Sequence, residues 1–253
     1  MNRAGLFIAL VVGAVVGVVF AVYPQLDIAI SRLFFNEPHR VFPVQYSLVA
    51  RHLRDVFMYV IAALVAPAFI AIALKLLLPR RAMLIAGRAA IFLIATLALA
   101  PGLMANTILK DYWSRPRPAE VHEFYGPEKF VPWWDPRGTC DKNCSFVAGE
   151  GAGGFWTLAP AALSPPAWRP IAYAAALLFG AAAGGLRLSG GAHFFTDVVF
   201  SGVFTFLIVW IGHGLIYRWR TRLTDAQVEG WIERIAPARL FARLRGKRAA
   251  ERP

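Results

Sequence analysis

His193 and Asp197 stand four residues apart in GLRLSGGAHFFTD, with Arg187 six residues upstream. On a helix that spacing puts both side chains on one face, so the carboxylate can accept a hydrogen bond from one ring nitrogen. The other nitrogen is then left as an in-line nucleophile. Arg187 offers a planar fork of donors to a phosphate, as does Arg117 in KDYWSRPRPAE, where Lys110 adds a compact point charge. Together the three cations can neutralise a phosphoryl dianion and its more charged transition state. A further stretch, CSFVAGEGAGG, places Glu150 after Gly149. A protonated Glu150 can give its proton to a leaving alkoxide, although the nearby cations oppose that protonation. Gly149, Gly151, Gly153 and Gly154 suit a helix start whose amides cradle an anion, and equally suit tight packing of membrane helices. Any of these charges alone reads more plainly as a snorkelling anchor, and a lone histidine as a satisfied helix end. A histidine with its carboxylate beside converging cations favours phosphoryl chemistry.

The elements that must position these groups are membrane spans. The 253 residues are 58% hydrophobic and carry a formal charge of +12, with a mean hydropathy of +0.52, which does not describe a single soluble domain. Apolar stretches run over Leu6 to Tyr23, Val56 to Leu78, Ala89 to Leu109, about Ser145 to Leu163, about Ala167 to Leu186, and Phe194 to Ile216. Each approaches the length that crosses a bilayer core. The expectation is an all-α polytopic membrane protein with six transmembrane helices over residues 1–222, followed by a basic amphipathic tail over 223–253. The first span lacks a convincing cleavage region and reads as a retained signal anchor. Arg80, Arg81, Arg88, Arg169, Arg218, Arg220 and Arg222 all fall on one side of six spans. The positive-inside rule makes that side cytoplasmic, with both termini, and leaves residues 110–144 outside.

Cys140 and Cys144 lie in that outer loop, where a local disulfide suits an oxidising compartment better than half of a metal site with no second pair. The segment QLDIAISRLFF fits either an interfacial helix or a structured loop. Trp133 and Trp134 suit headgroup depth, or the lining of a path for lipid. Asp111 and Arg115 lie close in sequence to Lys110 and Arg117, where either tunes local charge or forms an ion pair. His122 and Glu123 read as solvated loop residues, and His213 as structural on the far side. Thr224 and Gln227 form a capping box ahead of Val228, Trp231, Ile232 and Ile235 on one helical face, which Pro237 ends. The basic residues beyond it are drawn to anionic headgroups; no nucleic-acid module surrounds them.

The pattern resembles the type 2 phosphatidic acid phosphatase superfamily of integral-membrane lipid phosphatases. Lys110, Arg117 and Pro118 match its K-x6-R-P motif, and Arg187, His193 and Asp197 match its S-R-x5-H-x3-D motif, with Leu186 in the serine position. The middle motif departs: where the family has P-S-G-H, this chain reads Val147-Ala148-Gly149-Glu150. The resemblance implies a cofactor-free, metal-independent, two-step transfer. His193 attacks phosphorus, Asp197 stabilises the imidazolium, and Lys110, Arg117, Arg187 and Gly149 hold phosphate. Glu150 is the candidate acid, or alternatively orients a water or an arginine. The implied substrate is a phosphorylated membrane lipid met at the periplasmic face of a bacterial inner membrane. Lipid A, undecaprenyl diphosphate, phosphatidylglycerophosphate and phosphatidic acid all fit. A non-catalytic lipid-phosphate binder and a lipid phosphotransferase remain open at this point.

Overall fold

The computed structural model describes residues 2–219 and 223–237. It is built from helices, and among the described residues five are long and apolar enough to cross a membrane. Helix α1, Arg3–Val22, starts where the Asn2 side chain accepts from the Gly5 amide at 2.9 Å, filling one of the orphan donors of a helix start. Helix α2, Gln25–Arg32, is the short amphipathic element after it. Helix α3, Leu48–Leu77, is capped by Ser47 and runs for 30 residues. At 1.5 Å per residue it is about 45 Å long, so its first turns project beyond the hydrocarbon.

Helix α4, Gly87–Tyr112, is wound more widely, in π fashion, over Ala98–Leu109. The widening surrounds Pro101, which lacks the amide that a regular ladder needs. Helices α5, Gly149–Trp156, and α6, Leu158–Leu163, follow the outer loop. They occupy the stretch expected as the fourth span, and they carry the chain from beside Lys110 towards the other end of the bundle, where Leu163, Met83 and Ile85 pack against the same core. Almost every residue of the pair is buried inside protein, so this sixth passage needs no long lipid-facing surface. Helix α7, Arg169–Ser189, returns to the site, and α8, Phe195–Arg218, leaves it. Close approach explains the small residues: a Cβ at Gly154 would come within 2.9 Å of the Gly180 Cα on α7.

The central core joins Phe92, Trp156, Leu158 and Val209, with the Trp156 indole donating to Thr96 at 3.0 Å. A second core of Ile28, Phe42, Val121, Phe124 and Phe194 fills the space beneath the outer loop. Trp133 takes no part in an exposed belt: it stacks near Phe200 and donates to the Gly17 carbonyl, whereas Trp134 is exposed. At the other end lies α9, Asp225–Ile235, opened by the Thr224 and Gln227 capping box. Its Val228 packs on Gly87, Asp225 pairs with Arg88, and Glu229 and Glu233 pair with Lys75. Arg220, Arg222 and the basic sequence from residue 238 onward lie outside the described residues.

Candidate active site

Backbone hydrogen bonds tie the distant stretches together. Cys144 and Ser145 donate to the carbonyls of Lys110 and Arg115, Ala119 donates to Gly191, and Ala148 donates to Asp197. Because His193 follows α7 through a turn with Gly191 at φ +67, where a side chain would strike Phe42, glycine is required there. His193, Lys110, Arg117, Arg187, Gly149 and Glu150 thereby share one end of the bundle.

His193 is 1% exposed, and its Nδ1 lies 2.6 Å from the Ser145 carbonyl. A carbonyl can only accept, so Nδ1 carries the proton and Nε2 keeps a lone pair. Burial, followed by the charges of Lys110 and Arg187, pushes His193 well below its ordinary value of 6.5. A neutral imidazole with a free Nε2 is the form that a nucleophile requires.

Asp197 reaches the histidine differently from the expected ring hydrogen bond. Its Oδ2 is 4.0 Å from Nδ1, too far to accept from it. The same oxygen instead accepts from the Ser145 hydroxyl at 2.5 Å and from the Phe194 amide at 2.8 Å, while Oδ1 meets Arg115 at 2.5 Å. Arg115 is fully buried, and its other donors reach Asp27, Thr196 and the Val131 carbonyl. Asp27 closes the network by accepting from the Thr196 amide and hydroxyl. Despite burial, Asp197 and Asp27 hold the Arg115 guanidinium charged. Thus Arg115 pairs with Asp27 and Asp197, not with Asp111, which accepts from the Asn143 amide.

The other cations are less completely matched. Arg117 donates to the Asn143 carbonyl at 2.6 Å, and Lys110 lies 3.4 Å from the Asn143 side-chain oxygen. Asn143 is anchored beside the Cys140–Cys144 disulfide, so that small ring holds the groups that aim both cations. A Cβ at Gly149 would overlap the Asn106 side chain and stand 3.0 Å from the lysine nitrogen, so the glycine leaves room for Lys110. Arg187 Nε is buried without a hydrogen-bond partner and lies 3.4 Å from Glu150. Arg54 of α3 grips Glu150 through one guanidinium edge, with Nη2 donating to Oε1 at 2.6 Å and Nε to Oε2 at 3.0 Å. Arg117 and Arg187 face a cavity of about 120 Å³ that reaches Ala192, the neighbour of His193. The Glu120 carboxylate shares the lining of that cavity, and the charges of Lys110, Arg187 and Arg117 all act on the neutral imidazole next to it.

The PAP2 superfamily pattern matches residues 89–224, which contain this whole constellation except Arg54 and Asp27. The chain belongs to the PAP2 superfamily. Across 238 residues it is 36% identical to a lipid A 4'-phosphatase of Francisella tularensis subsp. novicida, covering 86% of this chain and 98% of that protein. A lipid A 4'-phosphatase of Rhizobium leguminosarum is 31% identical over 134 residues, about half of each chain. No solved structure matches it. This PAP2 protein is a phosphoric ester hydrolase, a lipid phosphatase built from membrane-spanning helices.

Sequence reasoning did not single out Arg54, Asp27 or Ser145. Asp27 did carry a signal, as an acid inside an apolar segment, and Arg115 sat inside the first motif. Nothing local in ARHLRD announces that Arg54 meets a glutamate 96 residues away.

Proposed function

We propose that the enzyme removes a phosphate from a lipid A-type glycolipid at the periplasmic face of a bacterial inner membrane, through a phosphohistidine at His193. The observation that carries this reading is the pinned, neutral His193 beside Lys110, Arg117 and Arg187. The near-complete coverage of the Francisella relative supports the substrate class. The clustering of Arg80, Arg81, Arg88 and Arg169 at the opposite end supports the orientation.

The cations hold the non-bridging oxygens while Nε2 forms a bond to phosphorus and the bond to the lipid oxygen breaks. The leaving alkoxide takes a proton from Glu150. Water then bonds to phosphorus and gives a proton to Glu150; the N–P bond breaks, and orthophosphate leaves a neutral imidazole. Asp197 supports the transient positive ring through space, and fixes the chain through Ser145, Phe194 and Arg115. A second reading of Glu150 is favoured by its contacts with Arg54 and Arg187: it aims arginines and leaves protonation to solvent.

Orthophosphate release by detergent-purified protein tests the reading across lipid A, undecaprenyl diphosphate, phosphatidylglycerophosphate and phosphatidic acid. Lipid A is expected to be the preferred substrate, with release lost in His193→Ala. Equal release by folded His193→Ala overturns the mechanism, and preference for another lipid overturns the substrate. Glu150→Gln separates the two roles. An acid loses kcat by about 10²-fold or more together with one limb of the pH profile, whereas an aiming residue keeps most of both.

A further inference from the structure

Beside the phosphate cavity lies a second one of about 200 Å³, lined by Gln45, Arg51, Arg54, Arg187 and Gly190. The two share Gln45, Arg187 and Gly190. Three guanidiniums face the second cavity, and no carboxylate lines it among the described residues. Glu150 pairs with Arg54 and Arg187, leaving an excess of positive charge. The Arg51 guanidinium makes no ion pair or hydrogen bond among the described residues, even though Asp55 follows one helical turn later.

Arginines at a membrane interface commonly snorkel outward to lipid headgroups. Here, α3 already turns Val49, Leu53 and Val56 outward as its exposed apolar face. Arg51 and Arg54, three residues apart and both partly open to the outside, also line the space against the end of α7. Forks of this kind match phosphate or carboxylate oxygens.

We propose that this cavity is a second anion subsite, which receives another phosphate or carboxylate of the same lipid headgroup whose phosphate is being cleaved. Arg51 and Arg54 hold the second anion, and Arg187 lies between the two subsites. The proposal rests on the lipid phosphatase reading above. It makes the enzyme selective for a headgroup with two anionic groups, since the second contributes binding without entering the chemistry.

The test compares orthophosphate release from lipid A bearing only the scissile phosphate with release from lipid A bearing two phosphates, in neutral detergent. The quantity read is the ratio of the two kcat/KM values. The wild type is expected to favour the doubly charged substrate about tenfold or more, and Arg51→Ala to bring that ratio close to one, mainly through KM. Arg51→Lys should restore part of it, which a purely structural role does not predict. Arg51→Ala with an unchanged ratio, in protein of normal elution profile, overturns the subsite while leaving the phosphatase reading intact. No release from either substrate overturns both. In a third arm, phosphatidylglycerol is added to the singly charged substrate. If it reproduces the gain in an Arg51-dependent manner, the anion comes from a neighbouring lipid, and the assignment to the substrate's own headgroup fails.

Discussion

Two clusters of arginine lie within one end of this molecule, and they are built oppositely. Arg115 is buried among Asp27, Asp197, Thr196 and a carbonyl, with two carboxylates for one guanidinium. Arg117, Arg187 and Lys110 meet mostly carbonyl and amide oxygens, with Glu150 the carboxylate at Arg187. A charge whose partners are all supplied by the fold serves the fold; charges left short of partners await a ligand. The difference shows why neighbouring arginines of one motif do unlike work.

The largest effects should come from breaking each cluster in its own currency. Arg115→Ala strands two buried carboxylates and should cost about 3–5 kcal/mol of stability, read from unfolding in detergent, with activity lost because the fold around His193 loosens. Arg187→Ala should lower kcat/KM by about 10²-fold or more while shifting the unfolding midpoint little. If Arg187→Ala proved the more destabilising, the contrast would collapse.

One side of this contrast was legible in the sequence. The motif spacings named His193, Asp197, Lys110, Arg117 and Arg187, because those positions are local and the chemistry restricts residue type. The buried passage α5–α6 was visible as an apolar stretch, but its Gly- and Ala-rich composition reflects packing against α7 and α8, not contact with lipid. The true partners of Arg115 and Glu150 were not legible. Asp27 is 88 residues from Arg115, and Arg54 is 96 from Glu150, so only tertiary packing pairs them. The same holds for Asp197, whose i to i+4 spacing to His193 promised a hydrogen bond. The ring instead turns to the Ser145 carbonyl, which competes successfully at 2.6 Å.

Acid should distinguish the buried histidine more gently. Its folded pKa lies below 6.5, so between the two values the unfolded chain binds the extra proton. Stability therefore rises with pH through that window and is fully present above about 6.5. Wild type should lose more stability on acidification from pH 7 to 5 than His193→Gln does, measured as the difference in Tm shift. An equal shift would mean that His193 is not held neutral. The smallest effect belongs to the opposite end, where the Asp225 and Arg88 pair is about one-third exposed. Asp225→Asn should cost no more than about 1 kcal/mol and leave turnover unaltered. What it does contribute should disappear as pH falls through the lowered pKa of Asp225.

The most direct measurement is to mix enzyme with lipid substrate labelled in the scissile phosphate, quench in alkali within a single turnover, and map the protein-bound label. The account predicts label on the peptide containing His193, absent from His193→Ala and diminished in Arg187→Ala. Label on another residue, or single-turnover phosphate release by folded His193→Ala at the wild-type rate, would contradict it.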